Sequence, residues 1–200
     1  MDLTTMRILV RRNLHDEDAN NYRWTNDELD CHVAHAVNVY SNASPLEQSI
    51  VLPTTPGSLN IDISSLDGRV NIEAVEYPVD NFPPSYQRFS IRENSLQLMG
   101  NKVPDGSNAR IYYGRTHILT TQVSTIPAHQ EDMIATGACG YAAIEMAIDT
   151  INKVNTGGVG TTKDLQVWGA KKLSEFQAAL KKADSRNRLR VRTLYRGEES

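Results

Sequence analysis

The residues "TNDELDCHVAHAVNVYSNASPLEQSIVLP", 25–53, contain a change from a helical pattern to a β-strand pattern. Thr25 is followed three residues later by Glu28, which is a capping-box pattern: each side chain accepts a hydrogen bond from a backbone N–H of the other residue. Apolar residues then recur at helical spacing, and Pro45 favours an extended residue before it. The stretch therefore predicts a helix over 25–42 and a different structure beyond it.

The segment after Pro45 consists of short β-rich runs that are separated by proline and other turn residues. One of these turns is "PDGS" at 104–107, where proline sets φ and glycine tolerates positive φ. The segment is typical of a small antiparallel sheet or sandwich. Strands are predicted at 48–52, 70–77, 86–92, 95–99 and 109–114.

Helical patterns flank the β-rich block on both sides. Residues 4–13 predict a first helix, and residues 126–152 predict a third, with Pro127 in its first turn. The third helix is rich in alanine and glycine, and each interior glycine costs about 1 kcal/mol relative to alanine. Close approach of a neighbouring helix compensates for this cost, so we expect tight helix packing here. A last helix is predicted at 161–183.

This order of elements predicts an α+β fold. Because helices bury their apolar stripes against one another, we expect a four-helix core with an antiparallel β insert between helices 2 and 3. An extended C-terminal arm follows. The predicted regions are 1–45 and 125–185 for the two halves of the helical core, 46–124 for the β-rich insert, and 186–200 for the arm.

Size and composition indicate an ordinary folded domain. Two hundred residues bury a core without disulfides, and two cysteines do not make a disulfide framework. No apolar run reaches the roughly eighteen residues of a membrane span, and no signal-peptide pattern opens the chain, so we expect no membrane contact.

Charge is unevenly distributed along the chain. Residues 181–200 hold seven basic and three acidic side chains, whereas the preceding 180 residues hold fourteen basic and twenty-one acidic ones. Such an asymmetry indicates an interaction arm on an acidic body.

The arm itself is "RNRLRVRTLYR", 186–196, with arginine at every second position over its first half. In a helix these arginines scatter around the axis, whereas in a strand they share one face opposite an apolar one. Such a strand can pair with its own sheet, add to a partner's sheet or groove, or contact phosphates. The residues assigned to it are Arg186, Arg188, Leu189, Arg190, Val191, Arg192, Leu194, Tyr195 and Arg196.

Candidate metal ligands occur in two places, and neither makes a complete site. The acidic run at 14–20 lacks the alternating ligands and central glycine of an EF-hand, so it reads as a solvated loop between helices. Cys31, His32 and His35 have helical spacing that can place two ligands on one face. No third ligand with a paired spacing accompanies them, so we expect no metal.

Catalytic and nucleotide-binding patterns are also incomplete. "NTGGVGTTK" at 155–163 has two threonines where the phosphate-binding loop has a direct Gly-Lys pair, and no strand precedes it. Cys139 lies in an apolar helix, where it is expected to be an inert core thiol. The sequence therefore predicts neither an enzyme nor a cofactor.

Across nearly its whole length the chain resembles the head–tail adaptor (connector or neck) proteins of tailed bacteriophages. The helix-entry motif carries most weight: Tyr22, Trp24, Thr25 and Glu28, with Trp24 expected to pack against the helix that it precedes. The resembling segments are "RRNLHDEDANNYRWTNDELDCHVAHAV" (11–37), "LPTTPGSLNIDISSL" (52–66), "IEAVEYP" (72–78), "VPDGSNARIYYG" (103–114) and "RVRTLY" (190–195).

The resemblance implies a structural protein of the virion neck, made in the cytoplasm of the host bacterium. Such adaptors form a homo-oligomeric ring of about a dozen copies beneath the portal protein, as a closed head-to-tail assembly. Residues 186–196 would dock on the portal, tail or head-completion proteins would bind the other side, and double-stranded DNA would pass through the channel without specific contacts. The alternative is a DNA-binding accessory protein that uses the basic tail.

Overall fold

The computed structural model describes residues 1–100, 103–150 and 162–194, with side chains described as far as Asp184. The chain divides into two compact units. The helical unit comprises Met1–Ser44 and His117–Asp184, and the β unit includes Pro45–Thr116. The α+β class is confirmed. The helical unit also takes in residues 117–124, which the sequence boundaries assigned to the β-rich insert.

Four α-helices build the described part of the helical unit, and all four contribute to one apolar core. Buried residues such as Val10 of the first helix, Val33 of the second, Ile134 of the third and Phe176 of the fourth belong to the same cluster. The predicted four-helix core is therefore present. The helices are α1 (Leu3–Asn13), α2 (Asn26–Ala43), α3 (Glu131–Thr150) and α4 (Thr162–Leu194).

Small residues let α3 and α4 approach closely, as the sequence predicted. A Cβ added at Gly137 would lie 2.9 Å from the Phe176 ring, and one at Gly140 would lie 2.8 Å from Leu173. Both distances are shorter than normal carbon–carbon contacts. The glycines are therefore needed for this packing, and they offset their unfavourable helix propensity through it.

The third helix begins later than the sequence predicted. Pro127 has φ −61° and ψ 138°, so it is extended and precedes a 3-10 turn at Ala128–Gln130. The α-helix starts at Glu131, which places Glu131 and Asp132 in its first turn. Their carboxylates are favourable there because the N-terminal end of the helix dipole is positive.

Over its described residues, the β unit is a small sandwich of two three-stranded antiparallel sheets. Their strand orders are β1-β6-β3 and β2-β5-β4, and inward side chains from both sheets form one core. Five of the six strands match predicted ones. The strand β2 was not predicted because its three residues are too short to show an alternating pattern. The strands are β1 (Leu46–Pro53), β2 (Asn60–Asp62), β3 (Arg69–Glu76), β4 (Phe89–Arg92), β5 (Ser95–Leu98) and β6 (Asn108–Arg115).

The C-terminal segment is helical where an extended arm was predicted. The helix α4 continues to Leu194, so the strand conformation expected for 186–194 is wrong, and Tyr195 and Arg196 lie outside the described residues. Arginine and leucine are good helix formers, and a helix pairs its backbone groups within the segment, whereas a strand needs a neighbour. The separation into a basic and an apolar face assumed an extended backbone and does not apply here.

Candidate functional site

A buried arginine at the end of α1 organises the connection to α2. Arg11 forms an ion pair with Asp16 and donates further hydrogen bonds to the Trp24 carbonyl oxygen (2.9 Å) and to Asn26 Oδ1 (3.0 Å). The other oxygen of Asp16 accepts from the backbone N–H of Arg23 at 2.7 Å. One salt bridge thus holds both ends of the connecting loop.

This arrangement corrects the prediction of a solvated acidic loop. Asp16 is only 3% exposed, whereas Glu17 and Asp18 face solvent. Burial of Asp16 is tolerated because its charge is paired and both of its oxygens accept hydrogen bonds. The first acidic side chain of the run is therefore a structural anchor.

The predicted helix-entry motif is confirmed as a capping box. The Thr25 N–H donates to Glu28 Oε2 at 2.6 Å, and the Glu28 N–H donates to Thr25 Oγ1 at 3.2 Å. The backbone N–H of Thr25 and its hydroxyl (2.8 Å) both donate to the Glu28 carboxylate, and these two hydrogen bonds lower the pKa of that carboxyl below its ordinary value. The motif begins α2 at the position that the sequence indicated.

The aromatic residues of the motif have two different roles. Trp24 is buried in the helical core, and its Nε1 donates to the Ala142 carbonyl oxygen of α3 at 3.3 Å. Tyr22 is half exposed, and the Arg11 guanidinium lies 3.6 Å from the centre of its ring. Arg11 therefore joins the motif residues, although sequence reasoning missed it. The sequence feature that could have identified Arg11 is its position next to the apolar face of α1, five residues before Asp16.

A groove of about 640 Å³ lies beside this motif in the helical unit. Its apolar lining residues are Leu14 and Trp24, which are both buried, and Leu165 and Trp168 of α4. The apolar part of the lining is therefore both aromatic and aliphatic. Polar side chains also line the groove: Asn13, His15, Arg23 and Asp164.

A second candidate surface lies at one end of the β unit. The chain enters at Leu46 and leaves at Arg115, which face each other across β1 and β6, while Pro53 faces Asn108 at the other end of this strand pair. Three loops therefore lie together at the end of the β unit opposite Leu46 and Arg115: the loop after β1, the loop after β3 and the loop before β6.

Hydrogen bonds join these three connections. Gly57 N–H donates to the Pro104 carbonyl oxygen at 2.9 Å, and the Tyr77 hydroxyl donates to Asp105 Oδ1 at 2.8 Å. Hydrogen bonds from Ser107 and then from Tyr77 lower the pKa of Asp105 to about 2. These hydrogen bonds therefore hold the three loops together at this end of the sandwich.

The candidate metal and nucleophile positions do not assemble into a reactive site. His35 packs edge-on against Tyr141 with 4.3 Å between ring centres, and Cys31 is exposed. Within the described ranges, no three His, Cys, Asp or Glu side chains converge to hold a metal ion. Burial raises the pKa of the Cys139 thiol to about 12, so this core cysteine is a poor nucleophile.

Two sequence predictions fall largely outside what the structure describes. The glycine-rich stretch at 155–160 is not among the described residues. The arm positions 186–194 belong to α4, and their side chains are not described, so the structure does not bring them to a site.

Comparison with protein-family models and with curated proteins finds no match to this chain. In the part of the chain that is described, no helix combines the length and the apolar character that crossing a membrane requires.

Proposed function

We propose that the protein is a structural virion component: a ring-forming head–tail adaptor that docks on the portal and connects it to the tail. One observation carries this proposal. The chain is built as a helical unit and a β unit with separate cores, and the helical unit is interrupted in sequence by the β unit. Two unlike bodies on one chain give it unlike surfaces, which a closed head-to-tail ring requires.

Charge supports the same proposal. The first 180 residues carry seven more acidic than basic side chains. A DNA channel with acidic walls repels the phosphate backbone, so DNA passes without being retained. The ring of about a dozen copies and its channel follow from the resemblance to phage adaptors.

Portal docking is assigned to residues 186–196, now as a continuation of α4 through Leu194 and not as a strand. The last buried residues of α4 in the described core are Phe176 and Leu180. A chain that ends at Asp184 therefore retains the core and removes only the proposed docking segment.

Binding to the portal protein of the same phage tests this assignment. The chain ending at Asp184 should unfold within a few degrees of the full chain and should no longer bind portal, while electron microscopy should show the full chain as a ring on the portal. A Lys171→Gln control removes an exposed charge from the same helix and should bind normally. Equal portal binding by the shortened and full chains would remove the docking role from the C-terminal segment.

A DNA-binding accessory role is the alternative, favoured by the five arginines of 186–196. If each contacts a phosphate, log K should fall with log salt at a slope of up to about −4.5. Fluorescence anisotropy of labelled duplex DNA between low and moderate salt measures this slope. Salt-steep DNA binding without portal binding would favour the alternative over the adaptor.

A further inference from the structure

The chain contains two Asp-Gly pairs, Asp67-Gly68 and Asp105-Gly106. They lie in the connections between β2 and β3 and between β5 and β6, and both aspartates are exposed. An aspartate carboxyl can react with the backbone nitrogen of the next residue, and glycine hinders this reaction least because it has no side chain. Both glycines have positive φ, 67° and 100°. The two pairs therefore differ mainly in their hydrogen bonds.

The Asp105 side chain is held in place. Its Oδ1 accepts from the Ser107 N–H at 2.9 Å and from the Tyr77 hydroxyl at 2.8 Å. The backbone N–H of Asp105 donates to the same hydroxyl at 3.0 Å. Hydrogen bonds from Ser107 and then from Tyr77 also lower the pKa of this carboxyl to about 2. The reaction needs the protonated acid, because a carboxyl oxygen leaves as water, so Asp105 is protected both by its fixed position and by its ionisation.

The Asp67 side chain has no such restraint. Among the residues that the structure describes, it makes no hydrogen bond and no ion pair, and the Gly68 N–H donates to no acceptor. The turn that contains both residues is closed by a long hydrogen bond of 3.3 Å from the Arg69 N–H to the Leu66 carbonyl oxygen. The carboxyl group and the nitrogen are therefore free to approach each other.

We infer that Asp67-Gly68 is a modification site, at which aspartate converts spontaneously to isoaspartate, and that Asp105-Gly106 is protected from the same reaction. The inference goes beyond the proposed function and does not depend on it. It rests on the contrast between two identical dipeptides in one β unit, of which only one has its carboxyl held by hydrogen bonds.

The reaction has two steps and needs only water. First, a bond forms between the Gly68 nitrogen and Asp67 Cγ, the Cγ–OH bond breaks, and the hydroxyl leaves as water with the proton of the nitrogen. The product is a succinimide ring. Water then breaks one of the two bonds between the ring nitrogen and a ring carbonyl carbon. When the bond to the main-chain carbonyl carbon breaks, Gly68 stays attached through Cγ and the residue is isoaspartate.

Isoaspartate lengthens the main chain by a methylene carbon immediately before β3. The Gly68 carbonyl oxygen accepts from the Thr116 N–H at 2.9 Å, and Arg69 faces Arg115 at the first position of the β3–β6 pairing. Both contacts depend on the position of the turn. The modification should therefore weaken the pairing at this end of β3.

Ageing of the purified full-length chain tests the inference. The chain is incubated at physiological temperature and neutral pH, and isoaspartate is located by electron-transfer fragmentation of its proteolytic peptides. A pKa that is lower by one reduces the protonated fraction about tenfold, so isoaspartate should form at least about tenfold more slowly at position 105 than at position 67. In urea, where the hydrogen bonds of Asp105 are lost, the two positions should react at similar rates.

Variants test the cause of the difference. Tyr77→Phe removes one hydrogen bond from Asp105 and should accelerate the reaction at position 105 but not at position 67. Asp67→Glu keeps the charge, but its longer side chain cannot close the same ring, so the modification at position 67 should disappear. Asp27→Glu is the matched control, since it makes the same change at an exposed aspartate that precedes Glu28 and not a glycine. Thermal unfolding shows whether each variant is folded.

Hydrogen exchange of the Thr116 N–H provides a second readout. Exchange should be faster in the aged chain than in the fresh one, whereas aged Asp67→Glu should keep the rate of the fresh chain. Unchanged exchange in a fully isomerised chain would overturn the expected weakening at the end of β3. The inference itself is overturned by equal isoaspartate at both positions of the folded chain, or by its absence at position 67 over a period in which the unfolded chain forms it.

Discussion

Arg11 and Asp16 form an ion pair whose two side chains are each more than nine-tenths buried. The pair closes the connection between the first two helices and fixes the start of α2 through the bonds from Arg11 to Trp24 and Asn26. A buried charge is tolerated only while its partner remains, so removal of one member is far more costly than loss of a surface salt bridge.

The first prediction follows from this pair. Arg11→Met leaves the Asp16 carboxylate buried without its cation and should lower the free energy of unfolding by about 3–5 kcal/mol. Urea denaturation followed by circular dichroism measures the change. Arg12→Met is the control, because Arg12 is exposed on the same helix and should change stability by no more than about 0.5 kcal/mol. Similar effects of the two substitutions would contradict the anchoring role of Arg11.

The second prediction concerns the contact between α3 and α4. Gly137→Ala places a methyl group 2.9 Å from the Phe176 ring. Overpacking of this kind costs about 1–3 kcal/mol, which outweighs the gain of about 1 kcal/mol in helix propensity. We expect net destabilisation in thermal unfolding, and Phe176→Leu in the same chain should make the added methyl group less costly. A more stable Gly137→Ala chain would show that the helices separate easily.

The third prediction concerns the start of α2. Thr25→Ala removes the acceptor for the Glu28 N–H and should cost about 1 kcal/mol, the usual value for loss of an N-terminal cap. Thr25→Ser keeps the hydroxyl and should be nearly neutral, so chemical denaturation of the two variants isolates the capping hydrogen bond. Equal losses for alanine and serine would assign the effect to the threonine methyl group.

The fourth prediction is the pH dependence of the same cap. Because the folded-state pKa of Glu28 is lowered, its stabilising contribution is present above its ordinary pKa and is lost as pH falls through the lowered one. The stability difference between the unchanged chain and Glu28→Gln should therefore be largest near neutral pH and vanish in acid. Urea titrations at stepped pH values test this, and a difference that grows in acid would contradict it.

The fifth prediction uses the two cysteines. Cys31 is exposed, whereas Cys139 is buried and its thiol pKa is raised to about 12. A thiol reagent at neutral pH should modify one cysteine of the native chain rapidly and both only after denaturation. Cys31→Ser should abolish the rapid phase, and rapid modification in that variant would show that the helical core opens on the same timescale.

The sequence predicted structure correctly where the stabilising contacts are local. The capping box joins residues three positions apart, and the helical repeat of α2 reflects one turn of backbone. The long strands of the β unit show an alternation that short segments lack, which is why β2 was missed. The prediction of a strand for the C-terminal segment was wrong for a related reason. The two-residue period of the arginines is compatible with a strand, but a strand also needs a neighbouring strand to pair with, and the period does not indicate one.

From its sequence this chain could be assigned an α+β class, four helices, a capped start for α2 and closely packed small residues in α3, because each depends on spacing along a single element. Tertiary contacts alone decided that Asp16 is an anchor, that Trp24 bonds to Ala142 across 118 positions of sequence, and that Phe82 remains outside both cores. Burial and long-range pairing depend on which distant residues come into contact in the folded chain. The spacing of residues within one segment does not predict those contacts.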